Sequence, residues 1–162
     1  MVPAFRNGSI DLAVSLCPEI ASELEFARIR REGVVALLPR RHRLANEQAI
    51  PLSSLADEEI ILFPREIAPR LHDAFLAIYR RAGFEPQLRN ESFHTGWDLG
   101  VLAEIPAVAM VPQTVTGTLP EGIAAVPLRE PTDSLETCVV WRGDERSPVV
   151  LGFVEIARSV FA

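Results

Sequence analysis

The segment IILFPREIAPRLHDAFLAIYRRAGFEP, residues 60–86, contains the signals of a strand, a helix and the turns that bound them. Ile60 to Phe63 is an apolar run that Pro64 stops, which is typical of a short buried strand. Apolar side chains then recur at helical spacing along one face between Pro69 and Ala82. These are Leu71, Ala74, Phe75, Ile78 and Ala82. Because Gly83 supplies a left-handed residue after them, the segment predicts a strand followed by an amphipathic helix.

The same alternation of apolar strands and helices continues on both sides of this segment. Largely apolar runs, most of them bounded by proline or glycine, predict further strands at 10–17, 34–38, 107–111, 123–126 and 135–141. Another short strand is predicted at 87–90, directly after the helix. Helical segments are predicted at 53–58, from Thr95 to Glu104, and at 148–161. Strands that alternate with helices predict an α/β architecture with a mainly parallel sheet.

The composition is that of a globular protein with an acidic surface. Of its 162 residues, 48% are hydrophobic and 23% are charged, which is enough apolar material for a packed core. The net charge of −6 is opposite in sign to the basic surface that binding to a phosphate backbone requires. We therefore expect that the chain itself does not hold DNA.

Cysteine usage and the first residues indicate a reducing, cytoplasmic compartment. Cys17 and Cys138 lie far apart, each within an apolar run, and neither belongs to a C-x-x-C or metal-binding pattern. The residues after Met1 lack the charged start and apolar stretch of a secretion signal, and no apolar run reaches membrane length. We expect two buried thiols and no association with a membrane.

No motif of nucleotide binding or standard hydrolase chemistry occurs in the sequence. The patterns G-x-S-x-G, G-x-x-x-x-G-K-[ST] and G-x-G-x-x-G are all absent. His42, His72 and His94 are too widely separated to form a local metal motif. His72 falls in the predicted amphipathic helix, where a surface or helix-packing role is favoured. We expect no catalytic site, no metal site and no cofactor.

The predicted strand at 60–63 ends in a segment that carries two charged residues, and ligands in open α/β sheets bind beyond the carboxyl ends of strands. The segment consists of Phe63, Pro64, Arg65 and Glu66. Arg65 is placed to clamp a carboxylate there. The alternative is a solvated ion pair between Arg65 and Glu66, which the residues alone favour.

A second polar segment lies where the predicted strand at 87–90 ends and the next helix begins. Ser92, His94 and Thr95 occur there, and free backbone N–H groups and hydroxyls at a helix start can bind an anion. The equally supported alternative is that Ser92 or Thr95 only caps the helix.

Taken in order, these segments resemble the effector-binding domain of LysR-type transcriptional regulators over nearly the whole chain. GSIDLAV at 8–14 resembles the family's G-x-L-D-L-A-I strand, and 34–39 with HRLA at 42–45 resembles its strand and H-P-L-A loop. In that loop Arg43 replaces the usual proline. Further matches are the strand at 60–65, AGFEP at 82–86, LAEIPAVAMVP at 102–112, and Trp141-Arg142 with the last helix. Within LAEIPAVAMVP, Ile105 and Ala107 stand where the family has two glycines.

The resemblance implies a two-lobed fold similar to type II periplasmic binding proteins, with the second lobe essentially complete and the first lobe partial. Residues 1–17 would be a remnant of the first lobe, 18–125 the second lobe, and 126–162 the return to the first lobe with the C-terminal helix. The family's winged helix-turn-helix and the first half of lobe one are expected to lie outside these residues.

The resemblance also implies a function, which is to sense a small effector between the lobes and so control DNA binding by the absent winged helix-turn-helix. The site would be formed by Phe63, Pro64, Arg65 and Glu66, faced by Ser92, His94 and Thr95. These groups suit a small organic effector such as a carboxylate or an aromatic compound, and a homo-oligomer is expected. The alternatives are a solute-binding receptor of a transport system, and an enzyme on the same fold.

Overall fold

The computed structural model describes residues 1–89, 99–129 and 135–160. The chain divides into two compact units, one formed by Met1–Arg31 with Ser134–Ala162 and the other by Glu32–Asp133. The lobes expected from the resemblance divide at 17 and 125 instead, and these limits stay a prediction.

Eight strands and three α-helices make up the regular structure of the described residues. The strands are β1 (Leu12–Leu16), β2 (Leu24–Glu32), β3 (Val34–Pro39), β4 (Glu59–Ile61), β5 (Gln87–Leu88), β6 (Val108–Pro112), β7 (Ile123–Pro127) and β8 (Leu135–Arg142). The α-helices are α1 (Val2–Arg6), α2 (Pro69–Arg81) and α3 (Pro148–Val160). Short 3₁₀ helices span Leu52–Leu55, Leu99–Ala103 and Gln113–Thr118. The start predicted for a helix at Thr95 lies outside the described residues.

The unit Glu32–Asp133 contains a five-stranded sheet in the order β5-β4-β6-β3-β7. Strand β4 is parallel to β5 and to β6, whereas β3 is antiparallel to both β6 and β7. The prediction of a mainly parallel sheet was therefore wrong. All six residues of β3 are buried, as expected for a strand covered on both faces, and this burial does not depend on strand direction.

Helix α2 ends as its sequence predicts. Gly83 has a positive φ of 92°, and its N–H donates to the carbonyl of Arg80 at 3.0 Å. The ring of Phe84 packs edge-on against Tyr79, with 5.5 Å between the centroids. A left-handed glycine followed by an apolar residue that folds back on the helix is a common C-terminal cap. The cap fixes where the chain leaves α2 for β5.

The unit formed by the two ends of the chain contains a three-stranded sheet in the order β1-β8-β2. On one face Val139 and Trp141 of β8 pack with Val154 and Ala157 of α3. On the other face the core contains Phe5 of α1 together with Leu24, Cys138 and Val140. Cys138 is buried, as predicted, and Cys17 is half-buried.

Strand β2 was not predicted, because charged side chains interrupt its apolar pattern. Two of them, Arg28 and Arg31, converge on Glu136 of β8, with N–O distances of 2.7 and 3.0 Å. Their hydrogen bonds lower the pKa of the Glu136 carboxyl below its ordinary value. The pattern thus reflects a charged cluster that joins β2 to β8.

This cluster predicts a pH dependence of stability. Because the pKa of Glu136 is lower in the folded chain than in the unfolded chain, its stabilising effect is complete above the ordinary glutamate value of 4.5. It is lost as the pH falls through the lowered folded pKa. We expect Glu136→Gln to be less stable than wild type in urea at pH 7, and the difference to shrink at pH 3. A constant difference between the two pH values would contradict this role of Glu136.

The two residues that replace family glycines do not strain the backbone. Among the described residues other than glycine, Cys17 is the one with a positive φ, so Ile105 and Ala107 adopt ordinary backbone angles. Arg41 secures the neighbouring turn by donating to the carbonyls of Ala103 at 2.6 Å and Glu104 at 2.9 Å.

The described residues include no helix with the length and apolar character needed to cross a membrane.

Candidate functional site

The carboxyl ends of three parallel strands lie at one edge of the five-stranded sheet. These strands are β5, β4 and β6, which are adjacent and run in the same direction. The segments that follow them therefore begin at the same edge, where open α/β sheets bind ligands. Residues 63–66 follow β4, and residues 113–114 follow β6. The segment 63–66 therefore begins at the edge of the sheet where other open α/β proteins bind ligands.

Phe63 is held from two directions by helix α2. Its ring stands edge-on to the rings of His72 and Phe75, with centroid distances of 5.8 and 6.1 Å. Its backbone carbonyl lies 2.9 Å from Nδ1 of His72. Because Phe75 and His72 are both buried, these contacts fix the loop after β4 against the helix. His72 therefore has the helix-packing role that the sequence favoured.

Arg65 forms a two-point ion pair with Asp73 in the second turn of α2. Nε of Arg65 donates to Oδ1 of Asp73 at 2.9 Å, and Nη2 donates to Oδ2 at 2.7 Å. These hydrogen bonds lower the pKa of the Asp73 carboxyl and raise the pKa of Arg65. The two side chains are 59% and 51% exposed, so the pair faces solvent. Glu66, the partner considered from the sequence, does not hold these two donors, because both hydrogen bonds go to Asp73.

A buried carboxylate lies beside the end of β6. Val34 of β3 is in register with Pro112 of β6, which brings Glu32 next to the segment that follows β6. Oε2 of Glu32 accepts hydrogen bonds from the backbone N–H of Thr114 at 3.1 Å and from its hydroxyl at 2.8 Å. Because these bonds satisfy the buried carboxylate, Glu32 anchors this part of the edge rather than offering a free charge.

The described part of the predicted site is the segment Phe63–Glu66. The other predicted residues, Ser92, His94 and Thr95, lie outside the described residues. Sequence reasoning missed Asp73 and Glu32. A usable signal for Asp73 was its place in the second turn of a helix that begins four residues after Arg65, where an acidic side chain can reach back to the preceding loop.

Another polar cluster in this unit fixes a loop. Glu58 pairs with Nε2 of His42 at 3.1 Å and with Arg43 at 2.9 Å, while Nδ1 of His42 accepts from the N–H of Leu44. These contacts fold the loop after β3. Within the ranges 1–89, 99–129 and 135–160, no group of three or more His, Cys, Asp or Glu side chains is arranged to hold a metal ion.

Two proteins of known description are similar to this chain over nearly its whole length. The HTH-type transcriptional regulator BudR of Raoultella terrigena is 28% identical over 157 residues, which cover 96% of this chain and 54% of BudR. The HTH-type transcriptional regulator TdfR of Cupriavidus pinatubonensis is 29% identical over 159 residues, which cover 97% and 53%. The chain therefore spans about half the length of the curated relatives it matches.

Solved structures establish the fold. The effector binding domain of BenM with its effector benzoate superposes with a TM-score of 0.82 at 22% identity, and the match covers 99% of this chain and 73% of that one. BenM is an HTH-type transcriptional regulator of Acinetobacter baylyi. The predicted fold, that of LysR effector-binding domains similar to type II periplasmic binding proteins, is confirmed.

The family is shown by a match that extends over the whole chain. The sequence model described as LysR substrate binding domain matches residues 1–162. These comparisons give no support to the alternative of a solute receptor, because the relatives named above are transcriptional regulators. The chain belongs to the LysR substrate binding domain family, the effector-binding part of LysR-type transcriptional regulators.

Proposed function

We propose that this chain senses a small organic acid and thereby controls DNA binding by a helix-turn-helix domain of the same cytoplasmic, homo-oligomeric regulator. The effector would bind at the edge formed by the carboxyl ends of β5, β4 and β6. Phe63 and Pro64 would supply an apolar wall, Arg65 the charge, and Ser92, His94 and Thr95 the facing polar groups. No step of this function requires a catalytic residue, a metal or a cofactor.

The observation that carries the proposal is the placement of Arg65. It is exposed, four residues after the end of β4, and it follows by two residues Phe63, whose ring α2 holds in place. An aromatic ring next to a guanidinium suits a ligand that combines an apolar body with a carboxylate, since the guanidinium binds carboxylates at two points. Benzoate has this chemistry, and it is the effector of the similar BenM domain.

Regulation would follow from a population shift. An effector changes the behaviour of a regulator only if it binds one conformation more tightly than another. The effector region therefore needs contacts that differ between the two conformations, and the lobes expected from the resemblance are the elements that would move.

The proposal is tested by a thermal-shift screen of the chain against small carboxylates, beginning with benzoate, and their neutral amides. A ligand present at a hundred times its Kd increases the free energy of unfolding of the protein that binds it by about 2.7 kcal/mol. For a chain of this size, that raises the Tm by roughly 5–10 °C. We expect carboxylates to give such shifts. A screen in which no compound raises the Tm would count against effector binding by this chain.

The role of Arg65 has its own test. We expect Arg65→Ala to weaken binding of a carboxylate hit about tenfold, as measured by calorimetric titration, because a charge-assisted hydrogen bond is lost. Arg80→Ala is the matched control, since Arg80 is also exposed and paired with a carboxylate, that of Glu85, but lies at the opposite end of α2. Equal affinity of wild type and Arg65→Ala would remove Arg65 from the site.

A further inference from the structure

Arg65 already binds a carboxylate, that of Asp73. The two N–O contacts of 2.9 and 2.7 Å have the two-point geometry in which a guanidinium recognises a carboxylate ligand. An effector carboxylate that approached the same two donors would meet the oxygens of Asp73. Glu66 places a second negative charge near the same guanidinium. The surroundings of Arg65 therefore disfavour an anion for as long as Asp73 stays in place.

We propose that Asp73 is a tethered competitor of the effector, so that an anionic effector binds by displacing Asp73 from Arg65. This inference rests on the proposed function. It makes Asp73 a specificity-determining residue, because a ligand must offer Arg65 a better partner than Asp73 does. A neutral ligand that does not use these two donors leaves the pair intact.

The exposure of the pair makes this exchange possible. Both side chains are more than half exposed, so their separation opens no core and water can solvate both groups. Exposed ion pairs of this kind contribute little to stability, because solvent screens them and fixing two long side chains costs entropy. The competitor is thus strong enough to discriminate between ligands and weak enough to be displaced.

The loop need not collapse when the pair opens. His72, the neighbour of Asp73, holds the backbone carbonyl of Phe63 through its ring nitrogen at 2.9 Å. This partly buried contact ties the loop after β4 to α2 independently of the ion pair. Arg65 can therefore turn from Asp73 toward a ligand while the ring of Phe63 keeps its place.

The test compares benzoate with benzamide, which has the same ring but no charge, on the wild-type chain and on Asp73→Asn. We expect Asp73→Asn to bind benzoate between about 1.5-fold and fivefold more tightly than wild type, the range that corresponds to one exposed ion pair. The affinity for benzamide should not change. Titrations are followed by NMR chemical shifts, which measure weak affinities, and circular dichroism confirms that each variant is folded.

Two further variants isolate the effect. Glu85→Gln breaks the pair between Arg80 and Glu85, which has a 2.7 Å contact and side chains 56% and 69% exposed, at the other end of the same helix. It should leave the affinity for benzoate unchanged. Asp73→Ala should reproduce the gain of Asp73→Asn, because either substitution releases Arg65. Adding Arg65→Gln to Asp73→Asn should abolish the gain.

The outcomes separate this inference from the function on which it rests. Equal or weaker benzoate binding by Asp73→Asn overturns the competitor role, and so does binding of neutral compounds alone by both proteins. In either case ligand binding by the chain still stands. Failure of every compound to bind any variant overturns the effector-binding proposal together with this inference.

Discussion

Phe75→Ala is expected to lower the free energy of unfolding by about 3–5 kcal/mol, the usual cost of deleting a buried phenylalanine. Phe75 is completely buried on the inner face of α2, and its ring supports that of Phe63. The substitution leaves a cavity where α2 packs and removes one of the two rings that position the loop after β4. Since domains are stable by only about 5–15 kcal/mol, the loss is a large part of the total. Urea unfolding followed by circular dichroism measures it.

The matched control for Phe75→Ala is Ile67→Ala in the loop between β4 and α2. Ile67 is also large and apolar, but it is 60% exposed, so its truncation opens no cavity and should change stability by less than about 0.5 kcal/mol. Phe75→Ala should also weaken binding of any ligand that contacts Phe63. A stability change for Phe75→Ala as small as that of the control would show that this ring does not support the site.

The elements predicted most accurately are those whose signals are local. Helix α2 begins at the predicted proline and ends one residue before the predicted limit, because the first-turn proline and Gly83 act within a few residues of each helix end. The apolar run at 34–38 likewise became strand β3, because burial on both faces requires an uninterrupted apolar sequence.

The direction of the strands and the presence of β2 could not be predicted from local signals. A strand buried on both faces has the same apolar pattern whether its neighbours are parallel or antiparallel, so β3 gave no sign of its antiparallel pairing with β6. Strand β2 carries Arg28 and Arg31, and these charges are explained by Glu136, more than a hundred residues away in the sequence. Local patterns contain no information about partners at that distance.

The same limit applies to the candidate site. Arg65 was identified because its position after a strand is a local property. The identity of its partner depends on how α2 packs on the sheet, which decides that Asp73 rather than the adjacent Glu66 receives both hydrogen bonds. Glu32 was missed because its partner, Thr114, lies 82 residues further along the chain, where no local pattern can indicate it.

Trp141→Ala is expected to destabilise the other unit by a similar amount, about 3–5 kcal/mol. Trp141 is buried in β8, the central strand of the three-stranded sheet, and packs in one core with Val154 and Ala157 of α3. The guanidinium of Arg158 lies 5.9 Å from the centre of its ring, so a cation–π contact is lost as well. Urea unfolding by circular dichroism again gives the change in free energy.

Ile156→Ala is the control for Trp141→Ala, because it removes an apolar side chain of α3 that lies outside this core. Ile156 belongs to the same helix but is 63% exposed, so its truncation should change stability by less than about 0.5 kcal/mol. Arg158→Ala should cost about 0.5–1 kcal/mol, the value of an exposed cation–π contact. If Trp141→Ala cost no more than Arg158→Ala, the ring would serve only as a surface for the arginine. The attachment of α3 to the sheet would then depend on Val154 and Ala157 alone.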